Sequence, residues 1–139
     1  MQTKECVAVL TGAGSGIGRA LASALAQSGC HLALADVNAV ALAETAAQVR
    51  ALGVRVSEHT LDVADRSAVA ALPDAVIAAH GQVDLLINNA GVALGGTFDQ
   101  VSVENFDWLM RINFDAVVTM CRAFLPLLRQ RPEARIVNL

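Results

Sequence analysis

The sequence predicts an α/β fold in three αβα layers: a doubly wound parallel sheet in the strand order 3-2-1-4-5, ending after its fifth strand. Three observations carry this. Five short apolar runs, at 7–10, 32–35, 54–60, 83–87 and 136–139, alternate with longer helical patterns. Most of the runs are continuously apolar rather than alternating, as in parallel strands covered on both faces. The first run passes directly into a glycine-rich turn that opens a helix.

Taken in order, the elements have recognisable ends. The strand at 7–10 leads through glycines into a helix at 16–28. After the strand at 32–35, Asn38 is placed to cap a helix over 38–52, and Gly53 closes it. Asp65 is placed to cap the helix at 65–80, and Gly81 to end it. Ser102 is placed to start one long helix over 102–131. Pro73 and Pro126 fall inside helical patterns and are expected to kink or divide them, because proline lacks the backbone donor. Right-handed crossovers then put helices on both sides of the sheet.

The chain has 139 residues, the size of one domain, and shows no internal repeat or linker. It is 55% hydrophobic, with a mean hydropathy of +0.50. No apolar run approaches the ~18 residues of a membrane span, and the N-terminus lacks the regions of a signal peptide. The surplus apolar surface is expected in a core or an interface. The helix at 102–131 is apolar nearly all round, with Phe106, Leu109, Met110, Phe114, Val118, Phe124 and Leu128, so one face needs a cover. A net charge of −3, with basic residues scattered, gives no nucleic-acid footprint. Cys6, Cys30 and Cys121 show neither disulfide-framework nor zinc spacing and are read as buried free thiols in a reducing cytoplasm. His31, His59 and His80 have no metal spacing and are read as structural or surface residues.

The turn VAVLTGAGSGIG carries the chemistry. Its glycines Gly12, Gly16 and Gly18 give GxxxGxG rather than GxGxxG, and no Lys-Ser or Lys-Thr follows, which excludes a nucleoside triphosphate P-loop. A strand running through glycines into a helix leaves backbone N–H groups and the positive end of a helix dipole free for a pyrophosphate. Asp36 ends the second strand, 24 residues after Gly12, where a carboxylate can accept from both hydroxyls of an adenosine ribose. The same charge repels a 2′-phosphate. Residues 15 and 37 are Ser and Val, so no cation stands there to neutralise one.

These residues resemble the short-chain dehydrogenase/reductase family, whose cofactor domain is of the Rossmann type. TGAGSGIG at 11–18 looks like its TGxxxGIG motif, Asn88-Asn89-Ala90-Gly91 like its NNAG, and RIVNL at 135–139 like its fifth strand. The likeness covers the whole chain, making residues 1–139 an NAD(P)-binding domain. It implies that Ser15, Gly16, Ile17 and Gly18 line the pyrophosphate, that Asp36 holds the ribose, and that Asp62 and Val63 contact adenine. Asn89, Ala90 and Gly91 would pass beneath the cofactor. Asn113 would bend its helix and help hold a water in a catalytic proton relay. The cofactor implied is NAD, preferred over NADP because of Asp36. The substrate would be a carbonyl or secondary alcohol, and the complete protein a homodimer or homotetramer.

Without the family, Asn88 is read as satisfying open backbone groups after the fourth strand, and Asn113 as a helix-kink amide. Gly95, Gly96, Thr97 and Phe98 are equally a pocket wall or a surface loop. The family's catalytic Tyr and Lys have no match here: the sequence holds no Tyr, and Lys4 is its one Lys. The expectation is a chain that stops before its catalytic residues, inactive and poorly soluble by itself. A non-catalytic nucleotide-binding protein and, further off, a methyltransferase on a related sheet stay open.

Overall fold

The strands form where apolar runs meet turn residues. They are β1 (Val7–Thr11), β2 (His31–Asp36), β3 (Val56–Thr60), β4 (Leu85–Asn88) and β5 (Arg135–Asn138), in a computed structural model that describes residues 5–139. Lys4 lies outside the described residues. Between the strands run α1 (Gly16–Gln27), α2 (Ala39–Arg50), α3 (Arg66–His80), α4 (Val103–Met110), a π-helical turn (Arg111–Asp115) and α5 (Ala116–Leu128). All strand pairs are parallel, in the predicted order β3-β2-β1-β4-β5. β1 is central, and its five residues are all buried.

The pleat divides the core into two layers. Ala8 and Leu10 of β1, with Leu85 and Ile87 of β4, face Ala22, Ala26, Leu42 and Val49 of α1 and α2. Val9, Ala33 and Leu86 face the other way, onto Val69, Leu72 and Val76 of α3 and Met120, Phe124 and Leu128 of α5. At the amino ends of the strands, the buried Asp84 carboxylate accepts from the Val7 N–H at 2.8 Å and from the Arg131 guanidinium at 2.6 Å. That pair ties β1, β4 and the segment after α5 together.

The predicted caps form. The Asn38 side chain accepts from the Ala41 N–H, and the Asp65 carboxylate accepts from the N–H groups of Ser67 and Ala68. Gly81 ends α3 in the left-handed region at φ +81°. Ser102 accepts from the Asn105 N–H.

Three expectations need correction. The helix expected over 102–131 is divided at 111–115 by the π-helical turn. Neither proline divides its helix: Pro73 lies within an unbroken α3 and Pro126 within α5. One missing donor costs a single ladder bond, which packing of these helices on the sheet overrides. Finally, Cys6 and Cys30 are joined in a disulfide, with their Cα atoms 5.0 Å apart, and Cys121 is the free thiol. A right-handed βαβ crossover returns the chain beside itself. The register Val7↔His31 therefore sets the residues just before each strand side by side, despite their separation in sequence. Two of the three thiols behind the expectation of a reducing compartment are thus bridged.

Candidate functional site: a cleft at the switch point

In an open parallel sheet, ligands bind at the carboxyl ends of the strands where the strand order reverses. Here that point lies between β1 and β4, the two strands from which the crossovers diverge. A cleft of about 390 Å³ opens there. Of the predicted residues, Gly12, Ser15, Gly16, Ile17, Asp36, Asp62, Val63, Asn89, Ala90 and Gly91 line it.

The floor is fixed by backbone contacts too close for side chains. A Cβ on Gly18 would stand 2.0 Å from the Gly12 carbonyl oxygen, and one on Gly12 would stand 2.9 Å from Ala90 Cα. The Thr11 hydroxyl accepts from the N–H groups of Asn89 and Ala90, both at 3.0 Å. The Asn89 amide donates back to the carbonyls of Thr11 (3.1 Å) and Gly12 (3.2 Å). The turn after β1 and the turn after β4 are thereby laced into one surface. Asn88 points elsewhere: it is buried and donates to the Asn138 side chain of β5 at 2.8 Å, a structural role, but one played toward a side chain and not toward the open backbone groups expected from the residues alone.

One wall is the start of α1. Its N-cap, Ser15, makes no side-chain capping bond, and the first helical hydrogen bond runs from Arg19 N–H to the Ser15 carbonyl. The N–H groups of Gly16, Ile17 and Gly18 precede it and are the donors a helix leaves unsatisfied at its start. Gly16 has φ +50° with open space where a Cβ would be, so the turn admits close approach from the cleft. This end suits an anion.

The opposite corner is Asp36, half-buried at the end of β2. One carboxylate oxygen accepts from the Gly14 N–H at 2.8 Å and the other from the Asn38 N–H at 2.9 Å. Each oxygen keeps a lone pair for a further donor. Asp62 is exposed, turned onto the Ala64 N–H at 2.9 Å. Ile17 and Val37 present exposed apolar surface beside it, 68% and 69% accessible, and Leu61, Val92 and Ile112 complete the lining.

Asn113 sits in the π-helical turn. Its amide accepts from the Val92 N–H and donates to the Val92 carbonyl, each at 2.8 Å. It clamps the segment after β4 that carries Gly91 and Val92 into the cleft. π-Helical turns recur at functional sites because the inserted residue re-aims the groups around it.

Sequence reasoning missed Gly14, Thr11, Val37, Leu61, Val92 and Ile112. Position was the available signal for three of them: Thr11 ends β1, and Val37 and Leu61 directly follow β2 and β3. Gly95 to Phe98 do not line the cleft. Phe98 is 94% exposed and borders a separate hollow with Val101, Val103 and Phe106.

The histidines lie away from the cleft. Ser57 Oγ sits between His59 Nε2 (2.8 Å) and His80 Nε2 (2.9 Å). Burial lowers the pKa of both. His80 is pushed down to about 4, chiefly by desolvation and further by the charge of Arg55. His31 accepts from the Arg55 N–H and faces Glu5.

The sheet order and the laced, glycine-lined cleft define a Rossmann-type α/β protein. Residues 6–139 match the family described as short chain dehydrogenase, and the chain belongs to that family. SadH of Mycobacterium tuberculosis, an oxidoreductase by name, is 44% identical over 133 residues, covering 96% of this chain and 48% of that protein. D-threitol dehydrogenase of Mycolicibacterium smegmatis is 39% identical over 136 residues, covering 96% of this chain and 51% of the other. Among solved structures, a short-chain dehydrogenase/reductase from Burkholderia phymatum in complex with NAD aligns with a TM-score of 0.95. It is 43% identical and covers 99% of this chain and 50% of that one. A metagenomic short-chain oxidoreductase in complex with NADP also aligns, with a TM-score of 0.92 and 33% identity, covering 99% of this chain and 63% of its own. The chain thus spans about half the length of the relatives named first.

Proposed function

We propose that this chain is the cofactor-holding part of an oxidoreductase that uses NAD(H) to interconvert a carbonyl and a secondary alcohol. The observation that carries the reading is the pairing, across one cleft, of an uncapped helix start with a fixed carboxylate. The N–H groups of residues 16–18 suit a diphosphate. Asp36 has lone pairs left for two ribose hydroxyls, and among the cleft-lining residues there is no Arg or Lys to receive a 2′-phosphate. Ile17, Val37, Leu61 and Val63 suit the flat faces of an adenine ring and exclude water from it.

When bound, the nicotinamide supplies the hydride donor or acceptor. The residues of this chain bind, orient and brace. Asn89 and Thr11 hold the floor, and Asn113 fixes Val92 and, through the shape of its helix, the nearby wall. Asn113 is therefore assigned a positioning role here, with its relay to a water as the catalytic part of the proposal. The family's proton-transferring Tyr has no counterpart in residues 1–139, so this reading gives the chain binding without turnover. The face that carries exposed Phe106 and Met110 of α4, Phe114 of the π-helical turn and Val118 of α5 is proposed as a homo-oligomer contact in the whole protein.

Equilibrium titration with NADH, NADPH and S-adenosylmethionine tests the binding claim. The reading expects NADH to bind at least tenfold tighter than NADPH and S-adenosylmethionine not to compete. Tighter NADPH overturns the reading of Asp36, and competition by S-adenosylmethionine overturns the class.

A further inference from the structure

Asp36 is not a free carboxylate, and what holds it has consequences of its own. Gly14 is buried between β1 and α1, and both ends of its backbone are engaged. Its N–H donates to Asp36 at 2.8 Å, and its carbonyl accepts from the Arg19 guanidinium at 2.6 Å. The same guanidinium donates to the hydroxyl of Thr45 at 2.9 Å and pairs with Glu44 at 3.0 Å, both on α2. Thr45 is fully buried. Arg19 thus fastens the glycine turn to α2, and the turn in turn grips Asp36. The fit is close: a Cβ on Gly14 would stand 2.9 Å from the Asp36 carboxylate and 3.1 Å from Ala41 Cβ.

We propose that Gly14 and Arg19 are specificity-determining residues, which set the preference between the two nicotinamide dinucleotides by holding the Asp36 carboxylate where the adenosine 2′ position falls. The proposal rests on the reading of Asp36 given above. A carboxylate repels a 2′-phosphate fully only if it cannot swing aside. Here the Gly14 N–H and the Asn38 N–H each hold one oxygen, so rotation breaks two charge-assisted hydrogen bonds. The arrangement also occupies the cation nearest in sequence to the turn. Arg19 does not line the cleft, and its guanidinium is engaged by Gly14, Thr45 and Glu44 instead of standing free for a phosphate. Selectivity is then a property of the Arg19–Gly14–Asp36 chain, not of the carboxylate alone.

The test is the ratio of NADPH to NADH dissociation constants, measured on the full chain and on Asp36→Ala, Gly14→Ala, Arg19→Met, Arg19→Lys and Thr45→Val. Melting temperatures serve as the folding control. Gly14→Ala and Arg19→Met are each expected to lower the preference for NADH about tenfold, the worth of one charge-assisted hydrogen bond. Arg19→Lys, which keeps one donor for the Gly14 carbonyl, should fall between. A purely structural role for Arg19 would weaken both dinucleotides together and leave the ratio unchanged. Should Gly14→Ala fail to fold, Arg19→Met and the milder Thr45→Val decide the matter. If Asp36→Ala collapses the ratio while the Arg19 and Thr45 variants keep it within twofold, this inference is overturned and the reading of Asp36 stands. If Asp36→Ala itself leaves the ratio unchanged, both are overturned.

Discussion

The two sides of the sheet are built differently. Around β1, α1 and β2, every strand residue has neighbours on both sides, and the polar groups at the strand ends have partners within the chain: Thr11 with Asn89, Gly14 with Asp36, Arg19 with Thr45. Around α4, α5 and β5, apolar side chains face outward. Phe114 is 57% exposed, α4 buries no residue, and all four residues of β5 are exposed. Apart from the open start of α1 and the exposed Ile17 and Val37 at the cleft, the first region is laced by contacts a few ångströms long that dictate its geometry. The second has one face on the core, through Met120, Phe124 and Leu128, and one face without a cover. A cofactor cradle needs the first kind of construction, because its donors must be in place before the ligand arrives. An apolar face suits association.

Substitutions graded along this contrast should separate the two regions. Leu10→Ala, in the fully buried central strand, is expected to cost about 3 kcal/mol of unfolding free energy from lost burial and the cavity left behind. The corresponding truncation at the edge, Val137→Ala, should cost about 1 kcal/mol or less, since that side chain is already 37% exposed. Equal costs, measured by urea denaturation, would break the comparison.

A pH series adds a buried point outside both regions, where α3 meets β3. His80 is buried with its pKa held at about 4, below the ordinary value of 6.5, by desolvation and the nearby Arg55 charge. The unfolded chain therefore takes up a proton that the folded chain refuses as pH falls from about 6.5 towards 4. Stability should decline across that window, by at most about 1.4 kcal/mol per pH unit from this group. Above pH 6.5 the group should contribute no slope. In His80→Gln, this component of the pH dependence of the urea midpoint should vanish; an unchanged slope would assign it to other groups.

The smallest effect on stability belongs to the uncovered face. Phe114→Ser should change unfolding free energy by no more than about 0.5 kcal/mol. It should nevertheless shift the chain towards lower mass in sedimentation velocity. An unchanged association state would remove this face as the contact.

How much of this was legible in the sequence follows the same division. The caps at Asn38 and Asp65 and the stop at Gly81 depend on residues within a few positions of each other and were legible locally, whereas the strand order joins residues as distant as Ala8 and Leu85 and was legible only through the alternation of strands with helices. A distortion at Asn113 was legible as a helix bend, but its π-helical form over 111–115 was not. It is held where Asn113 meets the backbone of Val92, across a loop, and a helical period does not reveal one inserted residue. The Cys6–Cys30 bridge was missed because spacing was judged along the chain, while the crossover folds those positions onto adjacent strands. Gly14 escaped because GxxxGxG draws attention to residues 12, 16 and 18. Its work is a hydrogen bond to a residue one strand away. Most of the cleft lining was named from the motif, but the links that brace it were not.

The most direct measurement is a crystal structure of the chain with NAD bound. The account predicts the diphosphate within hydrogen-bond distance of the N–H groups of residues 16–18 and both adenosine ribose hydroxyls on the Asp36 carboxylate, with Gly14 still donating to it. A dinucleotide seated elsewhere, or Asp36 turned from the ribose, would contradict it.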